Sequence, residues 1–542
     1  MTAASGGSLS WYWGDLHNHC AISYGHGSLA RALAVARQQL DFCSVTGHAF
    51  WPDMPDVPDD GADLLRYAST REYHQAGFAK LRAGWEDVQR QMAAAREPGR
   101  FETFLSYEWH SRADGDHHII YGADQGPLLG GERIWDVKAA LRRAAAEGRE
   151  PAALVIPHHI GYGAGYRGIN WQTFSPDLSP FVEIYSLHGC SESDEAPYPM
   201  LHRMGPRDGR STASWGLRQG HPVGLVGSTD HHSGYPGSHG YGRLAAAATA
   251  LTREALWDAF LARRVYAATG DRIRLDFWLN GAWMGAEVAA PGTREIEVRV
   301  QGRGAVDYVE LLKNERVLRR WPGPDPARAL DYLPGRAAAP SPLRALVRIE
   351  WGWGAEEQSW EGRLSLRDGR LVDVETCFAG PAIVAPQNDY AEGDDTPPHA
   401  LIALDRVSCA WRSRTEPNPT VRHPATQALI AEVEMAPGAE LVLEANGRRY
   451  VHTLAELLEG SRSHFLRGWR SEAIVLHRAL PIELCRVSQL VADEPGTSGD
   501  ASQGGAPGGA KRQADCYRVR VAQRNGQWAW SSPIWAMATT GA

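Results

Sequence analysis

Cysteine is scarce in this chain and follows no pattern. The 542 residues include seven cysteines, an odd number, and no CxxC pair occurs among them. Such a set is poor material for a disulfide framework or a zinc ribbon, because both need closely spaced pairs. We therefore expect reduced thiols, as in a cytoplasmic protein.

Long apolar runs and an excess of basic residues are also missing. No stretch reaches the roughly 18 apolar residues of a membrane helix, and residues 1–8 lack the basic and apolar regions of a signal peptide. The net charge of −8 argues against nucleic acid as a partner, because that role needs a basic face. We expect a cytoplasmic protein that acts on a small molecule, without a membrane or nucleic-acid partner. The sequence leaves the oligomeric state open.

Histidine, by contrast, is abundant and concentrated in the first half of the chain. Of the 21 histidines, 16 lie within residues 1–240. Imidazoles together with carboxylates are ligands that zinc, manganese and iron accept. In an extended segment, residues i and i+2 point to the same side, so an HxH or DxH motif presents two ligands together. The clusters are His17-Asn18-His19, Thr46-Gly47-His48, Tyr107-Glu108-Trp109, His117-His118, His158-His159 and Asp230-His231-His232.

Short apolar runs alternate with helical patterns up to about residue 271. This alternation predicts an α/β fold of successive βα units with parallel strands, arranged as a barrel. The first predicted helix follows Ser28 as its N-cap, and the second begins with a capping box at residues 69–72. The predicted helices are Leu29–Gln39, 70–95, Asp136–Glu147 and Thr252–Arg264. The predicted strands are Asp41–Thr46, Phe101–Ser106, Ala153–Ile156, Phe181–Tyr185 and Val223–Val226.

The candidate ligands fall at one kind of place in these units. His17, His48, Glu108, His158 and Asp230 each lie at or just after the C-terminal end of a predicted strand. In a βα barrel the loops that follow different strands converge at that rim, which is where active sites lie. The sequence therefore predicts one metal site built from several strands.

The pattern changes after about Arg272, where strand-like runs separated by Gly and Pro become dominant. This half is typical of a β-sandwich-like domain. We predict four regions: a barrel at 1–271, a β-rich domain at 272–492, a disordered loop at 493–513, and strands at 514–542 that return to the β-rich domain. The predicted strands include Ile273–Leu279, Glu295–Val300, Tyr308–Leu312, Leu346–Trp351 and Leu441–Glu444.

Five motifs resemble those of a known superfamily. Residues 14–19, 46–48, 107–109, 157–159 and 227–232 resemble the motifs of the PHP (polymerase and histidinol phosphatase) superfamily. The chain is most similar to the PHP-related family of uncharacterised proteins called DUF3604. The resemblance implies a distorted (β/α)7 barrel, two or three divalent metals, and phosphoester hydrolysis as the usual reaction.

The resemblance also implies roles for individual ligands. His17, His19 and Asp230 would hold a first metal, and Glu108 would bridge it to a second. One of His117 and His118, with His118 favoured, and one of His158 and His159 would complete the second site, while His48 and His232 would belong to a third. Tyr24 stands where the superfamily usually has an aspartate, so a third metal would need His26 to supply the missing contact.

A metal-dependent hydrolase, most simply a phosphoesterase, is the predicted function. Two or three ions of Mn, Zn or Fe would hold a bridging hydroxide as the nucleophile. Glu108 would fix the bridge, and His188 or His231 would assist the leaving group. Arg167 would bind an anionic substrate. Two alternatives remain: hydrolysis of a C–N or C–O bond as in amidohydrolases, and a non-catalytic binding protein with a metal-stabilised barrel.

Overall fold

The computed structural model describes most of the chain. The described residues are 8–55, 71–148, 152–198, 200, 205–336, 341–381, 396–417, 425–469, 471–495 and 514–537.

Helices and strands alternate in the first half. Ser28 caps the first helix, because its side chain accepts a hydrogen bond from the Arg31 N–H, as the sequence predicts. The capping box predicted at residues 69–72 lies partly outside the described residues. The elements are β1 (Ser10–Asp15), α1 (Leu29–Gln39), β2 (Phe42–Phe50), α2 (Arg71–Ala94), β3 (Glu102–Trp109), β4 (His117–Tyr121), α3 (Ile134–Ala146), β5 (Ala153–Pro157), β6 (Phe181–Ser186), β7 (Gly189–Cys190), α4 (Ala213–Arg218), β8 (Gly224–Gly227), β9 (Arg243–Ala248), α5 (Arg253–Leu261) and β10 (Val265–Ala268).

Strand pairing in this half is mixed rather than uniformly parallel. β1, β2 and β3 are parallel, whereas β4 runs antiparallel to both β3 and β5. β9 is antiparallel to β1 and β10, and β6 pairs with β8 in a separate parallel pair. Among the described strands the fold is therefore mixed α/β and strand-rich, and hydrogen bonding does not show the predicted closed barrel of seven βα units.

The direction of β4 decides where its histidines lie. Because β4 is antiparallel to β3, its first residues sit beside the last residues of β3: His118 is opposite Glu108 and His117 is opposite Trp109. The N-terminal end of β4 thus reaches the same rim as the C-terminal ends of β1, β2 and β3.

The second half is built almost wholly from strands. The predicted strands are present and most extend by one to three residues at their ends. The elements are β11 (Arg274–Leu279), β12 (Ala282–Trp283), β13 (Glu287–Ala289), β14 (Arg294–Gln301), β15 (Val306–Lys313), β16 (Arg316–Pro322), β17 (Leu343–Gly352), β18 (Gln358–Leu366), β19 (Gly369–Cys377), β20 (Ala400–Leu404), β21 (Ser408–Thr415), β22 (Gln427–Met435), β23 (Glu440–Ala445), β24 (Arg448–Thr453), α6 (Leu454–Glu459), β25 (Arg462–Phe465), β26 (Ala473–Leu476), β27 (Leu480–Pro481), β28 (Arg486–Asp493), β29 (Ala514–Gln523), β30 (Trp528–Ser531) and β31 (Ile534–Met537).

Two sheets of this half share one apolar core. One sheet has the strand order β19-β22-β17-β26-β25, and the other has the order β20-β21-β18-β23-β24. Trp351 of the first sheet stacks on Trp411 of the second, with ring centroids 5.0 Å apart, and both are buried. Alternating burial along β18 is the period of a strand with one face on a core.

The first sheet continues across the predicted boundary at residue 271. β10 pairs on one side with β9 and on the other with β30, which is followed in the sheet by β29 and β31. The predicted domain limits stay predictions, and most of the loop predicted at 493–513 lies outside the described residues. All seven cysteines are buried, and none of them forms a disulfide. No helix in the described part is long and apolar enough to cross a membrane.

Candidate metal centre

Buried histidine, aspartate and glutamate side chains converge at the rim where β1, β2, β3, β5 and β8 end. Their nitrogen and oxygen atoms form overlapping groups, and within each group all ligand atoms lie within 4.8 Å of one another. Each of these residues is buried. The groups include His17/His19/Asp230, His17/His118/His158, His19/His48/His232, His48/Glu108/His110 and Glu108/Asp116/His158/His159.

The Glu108 carboxylate lies in the middle of these groups, and each of its oxygens faces two imidazoles. Oε1 lies 2.9 Å from His158 Nε2 and 3.1 Å from His110 Nδ1. Oε2 lies 2.9 Å from His48 Nδ1 and 3.3 Å from His19 Nε2. Burial alone would raise the pKa of this carboxyl, but His110, His48 and His158 outweigh it and hold the pKa well below its usual range. Glu108 is therefore an anion with both oxygens directed into the centre.

Asp230 forms the second acidic corner, together with the HxH motif. Its Oδ1 lies 3.1 Å from His19 Nε2 and 3.3 Å from His17 Nε2. The Asp230 N–H donates to the His17 carbonyl at 2.7 Å, which ties the loop after β8 to the loop after β1. Asp230 has a φ of 51°, in the left-handed region that aspartate tolerates better than most residues. That conformation is part of how the carboxylate reaches the two imidazoles.

Several ring nitrogens face one another directly. His17 Nε2 lies 3.2 Å from His19 Nε2, and His118 Nδ1 lies 3.1 Å from His158 Nδ1. Burial lowers the pKa of His158 to about 4 and that of His118 well below its usual range, so both rings are neutral at pH 7. Facing lone pairs repel unless a proton or a cation lies between them.

The donor set fits borderline divalent metals. His19 Nδ1, His48 Nε2 and His118 Nε2 are buried without a hydrogen-bond partner among the described residues. Such orphaned polar atoms are costly in a protein interior. A mixture of neutral imidazoles and carboxylates is what Zn, Mn and Fe take as ligands.

A second layer of carboxylates holds the ligands in place. Glu183 lies 2.8 Å from His17 Nδ1 and also accepts the His159 N–H at 3.4 Å. Burial raises the pKa of Glu183 to about 7. Asp15 accepts hydrogen bonds from the Thr229 hydroxyl and from backbone N–H groups of the loops after β1 and β8. These contacts fix the orientation of the rim loops.

Nearly all of the sequence-predicted ligands come together. His17, His19, His48, Glu108, His118, His158, His159, Asp230 and His232 all belong to the groups above. His26 is in none of these groups, although its backbone N–H donates to the His232 carbonyl at 2.8 Å. In the other histidine pair of β4, the His117 ring bonds to the Gly115 carbonyl through Nδ1 at 2.9 Å.

The other predicted site residues occupy different positions around the centre. His188 adjoins it, with Nε2 3.0 Å from Asp230 Oδ2 and Nδ1 3.0 Å from the Tyr162 hydroxyl. His231 Nδ1 instead lies 2.8 Å from Ser233 Oγ. Each of these two imidazoles is buried.

Arg167, the predicted substrate cation, is engaged with the protein itself. Its Nε donates to Asp116 at 2.6 Å, and the guanidinium lies over the Trp51 ring at 4.6 Å. Asp116 in turn lies 3.2 Å from His110 Nδ1. Arg167 therefore acts on this centre through Asp116 and His110.

Sequence reasoning missed three residues of the centre: His110, Asp116 and Glu183. His110 follows Glu108 at the same i, i+2 spacing as the HxH motif, so the signal was present. Glu183 is an acidic residue in the otherwise apolar run of β6, which is a recognisable sign of a buried role.

Tyr24, which replaces an aspartate of the resembled motif, stacks on His48 with ring centroids 3.7 Å apart. Burial raises its pKa, so the phenol stays neutral beside the ligands.

No protein-family model matches this chain, so the DUF3604 resemblance stays a prediction. The chain is similar to two uncharacterised proteins of Chlamydia. It is 30% identical over 168 residues to one from Chlamydia trachomatis, covering 28% of this chain and 27% of that protein. It is 33% identical over 182 residues to one from Chlamydia pneumoniae, covering 30% and 29% respectively. The chain thus matches less than a third of the length of either relative.

One crystal structure shows a distant likeness. It is a two-domain protein from Bacteroides vulgatus that is described as containing a predicted PHP-like metal-dependent phosphoesterase. The likeness covers 56% of this chain and 79% of that chain, at 16% identity and a TM-score of 0.31. At such a score the two folds are too dissimilar for residue-by-residue comparison.

Proposed function

We propose that this protein is a metal-dependent hydrolase that cleaves phosphoesters of small anionic molecules. The observation that carries the proposal is Glu108, whose two oxygens face four buried imidazoles at 2.9 to 3.3 Å. Such a carboxylate is placed to join two cations. Glu108 and Asp230 place two buried carboxylates in the centre, and the lowered pKa values of His48, His118 and His158 leave those rings as neutral lone-pair donors.

The residues divide among two or three ions of Mn, Zn or Fe. His17, His19 and Asp230 would hold one, and Glu108 with His118 and His158 would hold a second. His48 and His232 would serve a third, with His26 and His110 as further candidate donors. When bound, such ions supply Lewis acidity and an activated water at neutral pH.

His188 is the residue placed to move a proton. Asp230 lies beside its Nε2 and the Tyr162 hydroxyl beside its Nδ1, which fixes the ring at the edge of the metal groups. From there it gives a proton to a leaving oxygen. His231 has the weaker claim, because its Nδ1 lies against Ser233 Oγ rather than against a carboxylate of the metal groups.

A distorted (β/α)7 barrel is the fold that accompanies this proposal. β5 lies beside β6, and β8 lies beside β9 and β10, so the two sheets adjoin one another around the metal centre. This adjacency supports a ring of strands that hydrogen bonding leaves incomplete among the described residues.

The test uses the purified full chain loaded with Mn or Zn. We expect it to release p-nitrophenol from a phosphomonoester or phosphodiester substrate and to lose that activity as Glu108→Gln. Glu375→Gln is the matched control, since Glu375 is a buried carboxylate bonded to Arg303 outside the centre. Turnover of esters or anilides alone would overturn the phosphoester proposal. A fully metal-loaded protein inert towards all of these substrates would instead favour a binding protein.

Hydrolysis of a C–N or C–O bond is the second candidate. One observation favours it: Asp116 already binds Arg167, the cation that was expected to hold a phosphate. A neutral acyl substrate would not need that cation. Comparing a p-nitroanilide with p-nitrophenyl phosphate on the same preparation separates the two reactions.

A further inference from the structure

A second pair of facing imidazoles lies in the strand-rich half, outside the centre described above. His452 is on β24 and His464 is on β25, and their Nε2 atoms are 2.9 Å apart. β24 is the last strand of one sheet of the sandwich, and β25 is the last strand of the other. The pair therefore joins the edges of the two facing sheets.

Neighbouring side chains hold both rings. The Tyr450 ring stacks on His464 with centroids 4.1 Å apart and planes 17° from parallel. The Glu456 carboxylate lies 3.9 Å from His452 Nδ1, the ring nitrogen that does not face His464. Glu456 itself is fixed, because it accepts the Thr453 N–H at 2.7 Å in the capping box of α6. Metal-binding histidines usually have a carboxylate or another acceptor at their second nitrogen.

The chemistry of the pair suits a cation. Burial lowers the pKa of both imidazoles, so both offer a lone pair at neutral pH. The separation of the two nitrogens is close to the 3.2 Å between His17 and His19 in the main centre. The side chain of His452 is 12% exposed, which leaves a path for an ion and for water ligands. The guanidinium of Arg462 on β25 forms an ion pair with the Glu459 carboxylate, with Nη2 and Oε2 3.5 Å apart.

We propose that His452 and His464 together bind one divalent transition-metal ion at the seam of the two sheets, with water in the remaining positions. Two imidazoles and no thiolate select ions of the Cu(II), Ni(II) and Zn(II) class over Mn(II), following the usual order of affinities. The bound ion links the two sheet edges. It therefore stabilises the strand-rich half in addition to any ions in the main centre.

Metal stoichiometry tests this site without any assay of activity. Equilibrium dialysis with Ni(II) is done on the full chain and on His464→Gln, His452→Gln and His477→Gln. His477 is the control, a partly exposed imidazole of the same half that bonds Glu350 at 2.9 Å. We expect each seam variant to bind one Ni(II) fewer than the full chain and than His477→Gln. Ni(II) is also expected to raise Tm less in the seam variants.

Glu456→Gln tests how the site is built. Gln serves in a capping box as Glu does, so α6 keeps its cap while the charge beside His452 is lost. We expect the Ni(II) affinity of the seam site to fall by about tenfold. Equal Ni(II) stoichiometry and equal Tm shifts in the full chain and in His464→Gln would overturn the proposal and show that the pair only shares a proton.

Discussion

The carboxylate of Glu183 lies 2.8 Å from Nδ1 of His17, while Nε2 of the same ring faces Asp230 and His19. When the ring is neutral, as a metal ligand must be, this contact places its single proton on Nδ1, where it is donated to Glu183. Nε2 then keeps its lone pair for the centre. Glu183 thus selects both the tautomer and the orientation of a ligand that the HxH motif alone leaves free.

Replacing Glu183 with Gln should weaken metal binding without removing a ligand. We expect about a 10- to 100-fold loss of affinity, because the His17 ring loses its charged acceptor and its fixed tautomer. Competition with a chromogenic chelator measures the affinity. Glu375→Gln, a buried carboxylate outside the centre, should bind metal as the unchanged chain does. An unaltered affinity in Glu183→Gln would show that His17 does not depend on this contact.

Glu108→Gln should have a larger effect. Gln keeps the volume but removes the anion that faces His19, His48 and His158, so neighbouring cations repel each other more strongly. We expect at least one metal to be lost and hydrolysis to fall by several orders of magnitude. Elemental analysis and the p-nitrophenyl assays measure the two effects. Full metal content with near-normal turnover would mean that Glu108 is not the bridge.

His110, which follows β3, and His117, the first residue of β4, offer a matched comparison. His110 lies 3.1 Å from both Glu108 and His48, whereas the His117 ring bonds a backbone carbonyl. His110→Gln should lower metal affinity by about tenfold or more, and His117→Gln should leave it nearly unchanged. Both variants remove one buried imidazole, so general destabilisation is common to them. The reverse ranking would place His117 in the centre instead.

Metal removal should destabilise the whole chain. We expect two to three divalent ions per chain after reconstitution with Mn or Zn, and a lower Tm after treatment with a chelator. Binding to the folded state alone adds about 2.7 kcal/mol when free metal is 100 times its Kd. Elemental analysis and thermal unfolding give the two numbers, and adding metal back should restore Tm. Less than one ion per chain would contradict the metal centre as a whole.

Lys138 should make the free energy of unfolding rise with pH in the alkaline range. Its side chain is buried, with Nζ donating to the Thr173 carbonyl at 3.2 Å, and burial lowers its pKa to about 8. Between pH 8 and the unfolded value near 10.5, the unfolded chain binds more protons, so stability rises with pH. Lys138→Met removes the titrating amine and with it this contribution to the pH dependence of stability. At pH 7 the variant should be more stable by up to about 3 kcal/mol, with the gap closing towards pH 10.5. The free energy of unfolding is measured with denaturant at several pH values. A difference between the variant and the unchanged chain that does not vary with pH would show that the pKa of Lys138 is not lowered by folding.

Motif spacing was enough to predict most of the centre. His17, His19 and Asp230 follow strands whose apolar runs are plain in the sequence, and parallel strand ends meet at one rim. Extended geometry then puts alternate residues on the same side. The same i, i+2 spacing also predicts His110, because it lies two residues after Glu108.

Non-local pairing was beyond the sequence patterns. Nothing in the run from His117 to Tyr121 tells that β4 runs against β3, yet that direction is what brings His118 to the rim. Asp116 and Arg167 are 51 residues apart, and their contact depends on how two loops fold against each other. Such contacts arise from tertiary packing rather than from local propensity.

The pairing of β10 with β30 bears on how this chain can be divided. A chain truncated near residue 271 would lose residues 528–531. The backbone of Tyr266–Ala268 would then be an unpaired, apolar sheet edge. Unpaired strands of that kind recruit other chains, so the shortened product should self-associate. Residues 514–537 are accordingly part of the N-terminal half in a folding sense. Any truncated or fused form of the metal-binding half must therefore include residues 514–537.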